Sequence, residues 1–456
     1  MLLRRNRLLL CSFLFVLLCS SLVVSVDAAS TWQNTYGGNS GEGAYSIVET
    51  PDGGYALAGV TSSFGAGGGD AWLVKTDLAG NMQWSRTYGE ESFTDIAFSL
   101  VATSDGGYAL GGVLNGSIES GDFWLIKTDE SGIKEWSKTY GGAGSDEAFS
   151  LVQASDGGYA LAGYTGSFGA GGNDFWLVKT DAAGNMQWNK TYGGAGFDFP
   201  RSLVATSDGG YAIAGMTHHI TDEEIEFPIL LGNADQTYEG GDATNQTYYL
   251  SYEVFWLVKT DALGNVEWNQ TYGEKGQSFA YSVIETSDGG FALAGYTTAF
   301  GAGSFDFWLV KTDEFGNIEW NQTYGGTDFE IAKSLVATFD GGFAMAGVTW
   351  SFSAGEGDFW LVKTDMFGNM EWNQTYGGIK DDSAWSLVAT SDGGFAMAGV
   401  TYSFPAAGFS DVWFIKTDED GVAPEAAWVI LPILFIATVS IFICKKKLLP
   451  KRSQVR

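Results

Sequence analysis

Short apolar runs recur along the middle of the chain, each cut off by glycine, aspartate or asparagine. In one unit FSLVQ (149–153) is followed by Ser155-Asp156-Gly157-Gly158, YALAGYT (159–165), the loop GSFGAGGN and DFWLVKT (174–180). Asp181-Ala182-Ala183-Gly184-Asn185 then leads into MQWNKTY (186–192). Runs this short, rich in Tyr, Phe, Trp, Val and Thr, predict strands. Asp-Gly at their ends predicts tight turns, because glycine adopts positive φ without strain. The unit therefore reads as four strands, a to d. Ala160, Ala162 and Gly163 on strand b leave room for a neighbouring unit.

The unit repeats. Lys-Thr-Asp begins at Lys75, Lys127, Lys179, Lys259, Lys311, Lys363 and Lys416, at spacings of 52, 52, 80, 52, 52 and 53. Asp-Gly-Gly begins at Asp52, Asp105, Asp156, Asp208, Asp288, Asp340 and Asp392. A period near 50 with strand content predicts a β-propeller, one blade per repeat. The seventh repeat has strands a, b and c but no d, whereas TWQNTYGG stands alone from Thr31. Trp32 to Tyr36 supplies the missing strand, closes a seven-bladed ring and removes a bare sheet edge. The expected fold is all-β, with the propeller ectodomain spanning 30–418.

The ends differ from the middle. Residues 1–29 carry Arg4, Arg5 and Arg7, an apolar run from Leu8 to Val26, and small residues after it, the order of a secretory signal peptide. Ala427 to Cys444 is apolar and uncharged, long enough to cross a bilayer as one helix. The basic tail 445–456 follows, and basic flanks stay cytoplasmic. This predicts a single-pass membrane protein with its propeller outside. The linker 419–426 spans at most about 28 Å when extended. The face carrying the short a–b and c–d turns is thus expected to look toward the membrane, and the longer d–a and b–c loops outward.

Charge sharpens this reading. The whole chain is −30, and outside its end segments 53 acidic residues face 15 basic ones. Such a surface repels nucleic acid and anionic lipid. All three cysteines lie in the end segments, so the ectodomain is held by packing rather than disulfides.

DGGYALAGYT, DFWLVKTD and GNMQWNKTYGG resemble the propeller-type repeats of bacterial and archaeal surface and secreted proteins, over residues 32–418. That resemblance implies a prokaryotic cell surface and leaves the activity open. Gly184-Asn185-Met186-Gln187-Trp188 also resembles the Gly-x-x-x-Trp of quinoprotein propellers, whose tryptophan wedges between blades. It implies a packing role for Trp32, Trp84, Trp136, Trp188, Trp268, Trp320 and Trp372. Thr206-Ser207-Asp208-Gly209-Gly210 resembles the Asp-box turn of sialidases, itself a structural turn.

Candidate chemistry is sparse. Lys75 and Asp77 share one face of strand c and are expected to form a structural ion pair, repeated in every blade. Asp70, Asp122, Asp174, Asp306, Asp358 and Asp411 open strand c, where Ca²⁺ ligation competes with turn capping. Blade four has a b–c insertion (218–254) with both histidines of the chain, His218 and His219, and the acids Asp222, Glu223, Glu224 and Glu226. Long ordered loops are often functional, so this insertion is the expected binding element. Glu49, Gln153 and Glu285 lie near the axis without forming a catalytic set. Sequons at Asn115, Asn189, Asn245, Asn269, Asn321 and Asn373 are candidate glycosylation sites. The function expected is non-catalytic binding or adhesion to a glycan, an envelope component or a protein. An extracellular polysaccharide hydrolase and a structural coat protein are the alternatives.

Overall fold

The computed structural model describes residues 31–91, 93–117, 120–225, 248–405 and 409–423. The expected signal peptide (1–29), residues 424–426 of the expected linker, the apolar segment 427–444 and the tail 445–456 lie outside the described residues. So do Glu226 and Asn245. Among the described residues no helix is long and apolar enough to cross a membrane.

Among the described residues, twenty-eight strands form seven four-stranded antiparallel sheets. In six of them the strands run a-b-c-d in chain order. In the seventh the strand Trp32–Tyr36 pairs with Asp411–Thr417, with Trp32 opposite Lys416 and Tyr36 opposite Val412. The first strand thus completes the last blade, as the orphan TWQNTYGG implies.

Strand a of blade three runs Asp146–Gln153, three residues longer at its start than the apolar pattern indicates. Strands b, c and d occupy Tyr159–Thr165, Asp174–Thr180 and Met186–Tyr192. Strand c is buried along its whole length, and strand d is mostly exposed. The b–c connection of blade four differs from the loop expected. Its strands b and c continue as Tyr211–Ile225 and Tyr248–Thr260, a projecting hairpin with His218 opposite Glu253 and His219 opposite Tyr252.

Neighbouring blades are joined by two devices that repeat around the ring. Each strand-d tryptophan meets the first aromatic of strand b in the next blade edge to face, at centroid distances of 5.7–6.1 Å. Trp32, Trp84, Trp136, Trp188, Trp268, Trp320 and Trp372 are therefore the expected wedges. The same ring covers the next c–d turn so closely that glycine is required there twice over. Gly184 has φ +74°, and a Cβ on it would stand 2.6 Å from the Trp136 ring. The tyrosine ending strand d then donates its O–H to that glycine's carbonyl, as Tyr140 does to Gly184 at 2.6 Å.

The second device lies at the axis. A serine on strand a accepts the backbone N–H of strand a in the following blade, for example Leu151 N–H to Ser99 Oγ at 3.0 Å. Ser46, Ser99, Ser150, Ser202, Ser282, Ser334 and Ser386 close this ring at 3.0–3.2 Å. Hydrogen bonds of this kind contribute about 1 kcal/mol each.

Candidate functional site

The repeated motifs resolve into scaffold. Each Lys-Thr-Asp lysine is buried and pairs with the aspartate of Asp-Gly-Gly, at 2.7–2.9 Å in all seven blades. Asp52, Asp105, Asp156, Asp208, Asp288, Asp340 and Asp392 thus fasten the a–b turn to strand c. The expected partner within the motif is wrong. Asp77 instead caps the c–d turn, accepting the backbone N–H of Ala79 and Asn81. The lysine meets the turn aspartate because the a–b turn folds over the end of strand c. The hydrogen bond from Lys179 holds the Asp156 carboxyl below the usual carboxylate range, with burial opposing it.

Of the aspartates that open strand c, Asp70, Asp174, Asp306 and Asp358 cap their b–c loops. Asp70 Oδ2 accepts Ala66 N–H, and Asp174 Oδ2 accepts Ala170 N–H, both at 3.0 Å. Burial pushes the Asp174 carboxyl up, and the nearby Asp198 adds to it. No cluster of three or more His, Cys, Asp or Glu suited to a metal occurs among the described residues.

The sequon asparagines also have structural work. Asn189, Asn269, Asn321 and Asn373 are exposed on strand d. Their Oδ1 atoms accept the indole N–H of Trp176, Trp256, Trp308 and Trp360 at 3.1 Å. Asn115 donates to the Thr94 carbonyl from the blade-two hairpin. Glu49, Gln153 and Glu285 reach across to Ser391, Ser104 and Ser207 of the preceding blade. They bind blade to blade and form no shared site. In the hairpin, His219, Asp222, Glu223 and Glu224 lie on the extended strand b. His218 stands against Phe197, with its Nδ1 buried and unpartnered.

One position departs from the repeat, and sequence reasoning missed it. Strand a carries a register shift in every blade, between Ala148 and Ser150 in blade three and at the equivalent place elsewhere. A bulged residue leaves the ladder and is re-aimed. Here the seven bulged residues are Tyr45, Phe98, Phe149, Arg201, Tyr281, Lys333 and Trp385. All seven line one cavity of about 430 Å³ on the axis, together with Ile96 and Glu147. Ile96 and Glu147 belong to the early part of strand a, so the cavity lies toward the d–a and b–c loop side of the channel.

The cavity wall is nearly continuous. Trp385 meets Tyr45 at 5.3 Å, Tyr45 meets Phe98 at 5.3 Å, and Phe98 meets Phe149 at 5.0 Å. The Arg201 guanidinium lies 4.0 Å over Phe149, and Lys333 Nζ lies 3.3 Å over Trp385 while donating to Ser383 Oγ at 2.8 Å. Both cations are half-buried. Burial pushes the Lys333 ammonium down to about 7, and the Arg201 charge pushes the same way. Burial also lowers Arg201. Neither cation forms an ion pair among the described residues, and Arg201 Nε has no hydrogen-bond partner. The signal for this site was present in the repeats. The frame small-x-Ser-aliphatic-aliphatic recurs at strand a, and only x changes class.

No family model matches the chain. A curated relative, the Regulatory protein FlaEY of Caulobacter vibrioides, is 28% identical over 134 residues, covering 26% of this chain and 14% of that protein. The chain therefore spans about one seventh of that relative's length. Among solved structures, Sqt1 from Chaetomium thermophilum is 12% identical with a TM-score of 0.44, covering 82% of each chain. YCF48 bound to D1 peptide is 9% identical at 0.44, covering 87% of this chain and 99% of that one. The polysaccharide lyase Uly1 is 10% identical at 0.44, covering 84% and 90%. The seven-bladed architecture rests on the strand order of this chain itself.

Proposed function

We propose that the protein is a membrane-anchored, extracellular ligand-binding propeller, non-catalytic, whose ligand enters the axial cavity from the outward loop face. The observation that carries this reading is the bulge position. Everywhere else the blades repeat their chemistry. Here seven unequal residues converge on one concave space. A pocket of a few hundred Å³ with aromatic walls and a few polar groups is the usual form of a small-ligand site. It accommodates a small molecule or the terminal residue of a glycan, with ring faces for sugar C–H surfaces and cations for polar groups. The export signal, the uncharged segment 427–444 and its basic flank support a surface location. The blade-four hairpin, on the same side as the cavity mouth, is a second contact for a larger glycan or envelope partner.

A two-carboxylate hydrolase is less well supported, because Glu147 is the one carboxylate lining the cavity. The test is a binding and turnover screen of the full-length chain against polysaccharides and envelope fractions. It is run beside Trp385→Ala, Glu147→Gln and a deletion of 220–252. Binding lost on Trp385→Ala supports the axial site. Binding lost only with the deletion moves the site to the hairpin. Turnover abolished by Glu147→Gln overturns the non-catalytic reading.

A further inference from the structure

We infer that the axial cavity selects an anionic ligand group, a carboxylate or a sulfate or phosphate ester, held between Arg201 and Lys333 with the ligand's apolar body against Tyr45, Phe98, Phe149 and Trp385. This names the ligand class of the site proposed above and rests on that reading.

Three observations lead to it. First, the molecule is strongly acidic, yet the bulge ring holds two cations and no acid. In the scaffold every Lys-Thr-Asp lysine has a carboxylate within 3 Å, so cations are ordinarily neutralised here. Arg201 and Lys333 line the axial cavity without such a partner.

Second, their positive charges are held close enough to oppose one another, at a cost to the fold. Burial and the Arg201 charge both disfavour the Lys333 ammonium. Aromatic faces compensate in part, since the ring face attracts a cation placed over it. That leaves the arginine Nε without an acceptor. A buried donor without an acceptor is a cost to the fold.

Third, the surrounding acids are directed elsewhere. Glu330, on the same strand as Lys333, accepts Thr349 O–H and Gly326 N–H. Asp382, at the start of the next strand a, accepts Thr401 O–H and Gly378 N–H. The other titratable groups lining the cavity are Tyr45, Tyr281 and Glu147. Burial raises both tyrosines, so they stay neutral. Glu147 sits on the mouth side and favours the Arg201 charge at longer range without pairing with it. The arrangement is therefore net positive where a ligand would sit, inside an acidic shell that rejects anions elsewhere.

A guanidinium fork beside an ammonium recognises planar carboxylates and tetrahedral oxyanions alike. The test therefore uses glucuronate, glucose 6-sulfate and glucose 6-phosphate, with glucose as the neutral probe, at constant ionic strength set by NaCl. Binding is read on the full-length chain as a saturating rise in Tm and a change in tryptophan fluorescence. At least one acidic probe should saturate, while glucose and extra NaCl leave Tm unchanged. Lys333→Met should weaken the acidic probe on the order of tenfold, the usual scale of a charged hydrogen bond. Arg201→Lys should weaken it less than Arg201→Met.

The wild-type affinity should also fall as pH rises through about 7, where Lys333 loses its proton, and this dependence should vanish in Lys333→Met. The wild-type titrations need no variant to fold. Glucose binding as well as the acidic probes would overturn the charge selection. So would no acidic probe binding while a neutral glycan is bound in the screen above, leaving the binding reading intact. If neither acidic probes nor any polysaccharide bind, both fail.

Discussion

The rim and the axis of this propeller follow opposite rules. At the rim, Lys179 and Asp156, Trp188, Tyr192 and Gly184 have equivalents in every blade, making the same contacts at the same distances. At the axis, the backbone is just as regular, with a bulge and a serine hydrogen bond in each blade. Yet the residue presented there passes from Tyr to Phe, Arg, Lys and Trp. Repetition marks what each blade needs from its neighbour. Variation on a repeated backbone marks what the molecule does with the assembled ring.

Substitutions that separate stability from binding put this contrast under strain. The largest loss of stability is expected from Trp320→Ala at a blade junction. It removes the edge-to-face contact with Phe343 at 5.8 Å and should cost about 3–5 kcal/mol in denaturant unfolding. The same substitution at the axis, Trp385→Ala, should cost clearly less. Equal losses would erase the distinction between frame and site.

Asp156→Ala should destabilise by about 1 kcal/mol, since the aspartate is half exposed and its pair is screened, although it leaves buried Lys179 without its carboxylate. The Asp156 carboxyl is lowered in the fold. Its contribution is therefore present above the unfolded value, about 4, and is lost as pH falls through the folded one. Acid unfolding followed from pH ~5 to ~2 should show a weaker pH dependence in the variant.

The smallest effect has the opposite sign. Lys333 is depressed to about 7 from 10.5, so between those values the unfolded chain holds more protons and stability rises with pH. Lys333→Met should raise Tm slightly at pH 6, with the gain shrinking toward pH 10. A loss of Tm at pH 6 would mean the ammonium is a structural member of the axis.

Much of the frame was legible before any coordinates. The period gave the blade count, the orphan TWQNTYGG gave the closure, and Gly-x-x-x-Trp gave the wedge, because each depends on local pattern alone. The partner of Lys75 was misread as Asp77. Two residues on one strand face are neighbours by rule, whereas Asp52 arrives only when the a–b turn folds over. The axial site stayed hidden for a related reason. Tyr45 and its equivalents sit in an otherwise ordinary strand, and a bulge leaves no composition signal. His218 and the acidic insertion stand out in the sequence because that segment breaks the period. The axial residues break the repeat without changing its length.

If the axis binds and the rim carries, ligand affinity must depend on the axial residues and not on the turns. The most direct measurement is the dissociation constant of the full-length chain for an acidic polysaccharide found in the screen, compared among wild type, Trp385→Ala and Asp313→Ala, the blade-five counterpart of Asp77, which caps its c–d turn. Trp385→Ala should lose at least about tenfold, the scale of one removed contact of 1.4 kcal/mol or more, and Asp313→Ala should leave the value unchanged. Unchanged binding in Trp385→Ala, with the protein still folded, would contradict axial binding.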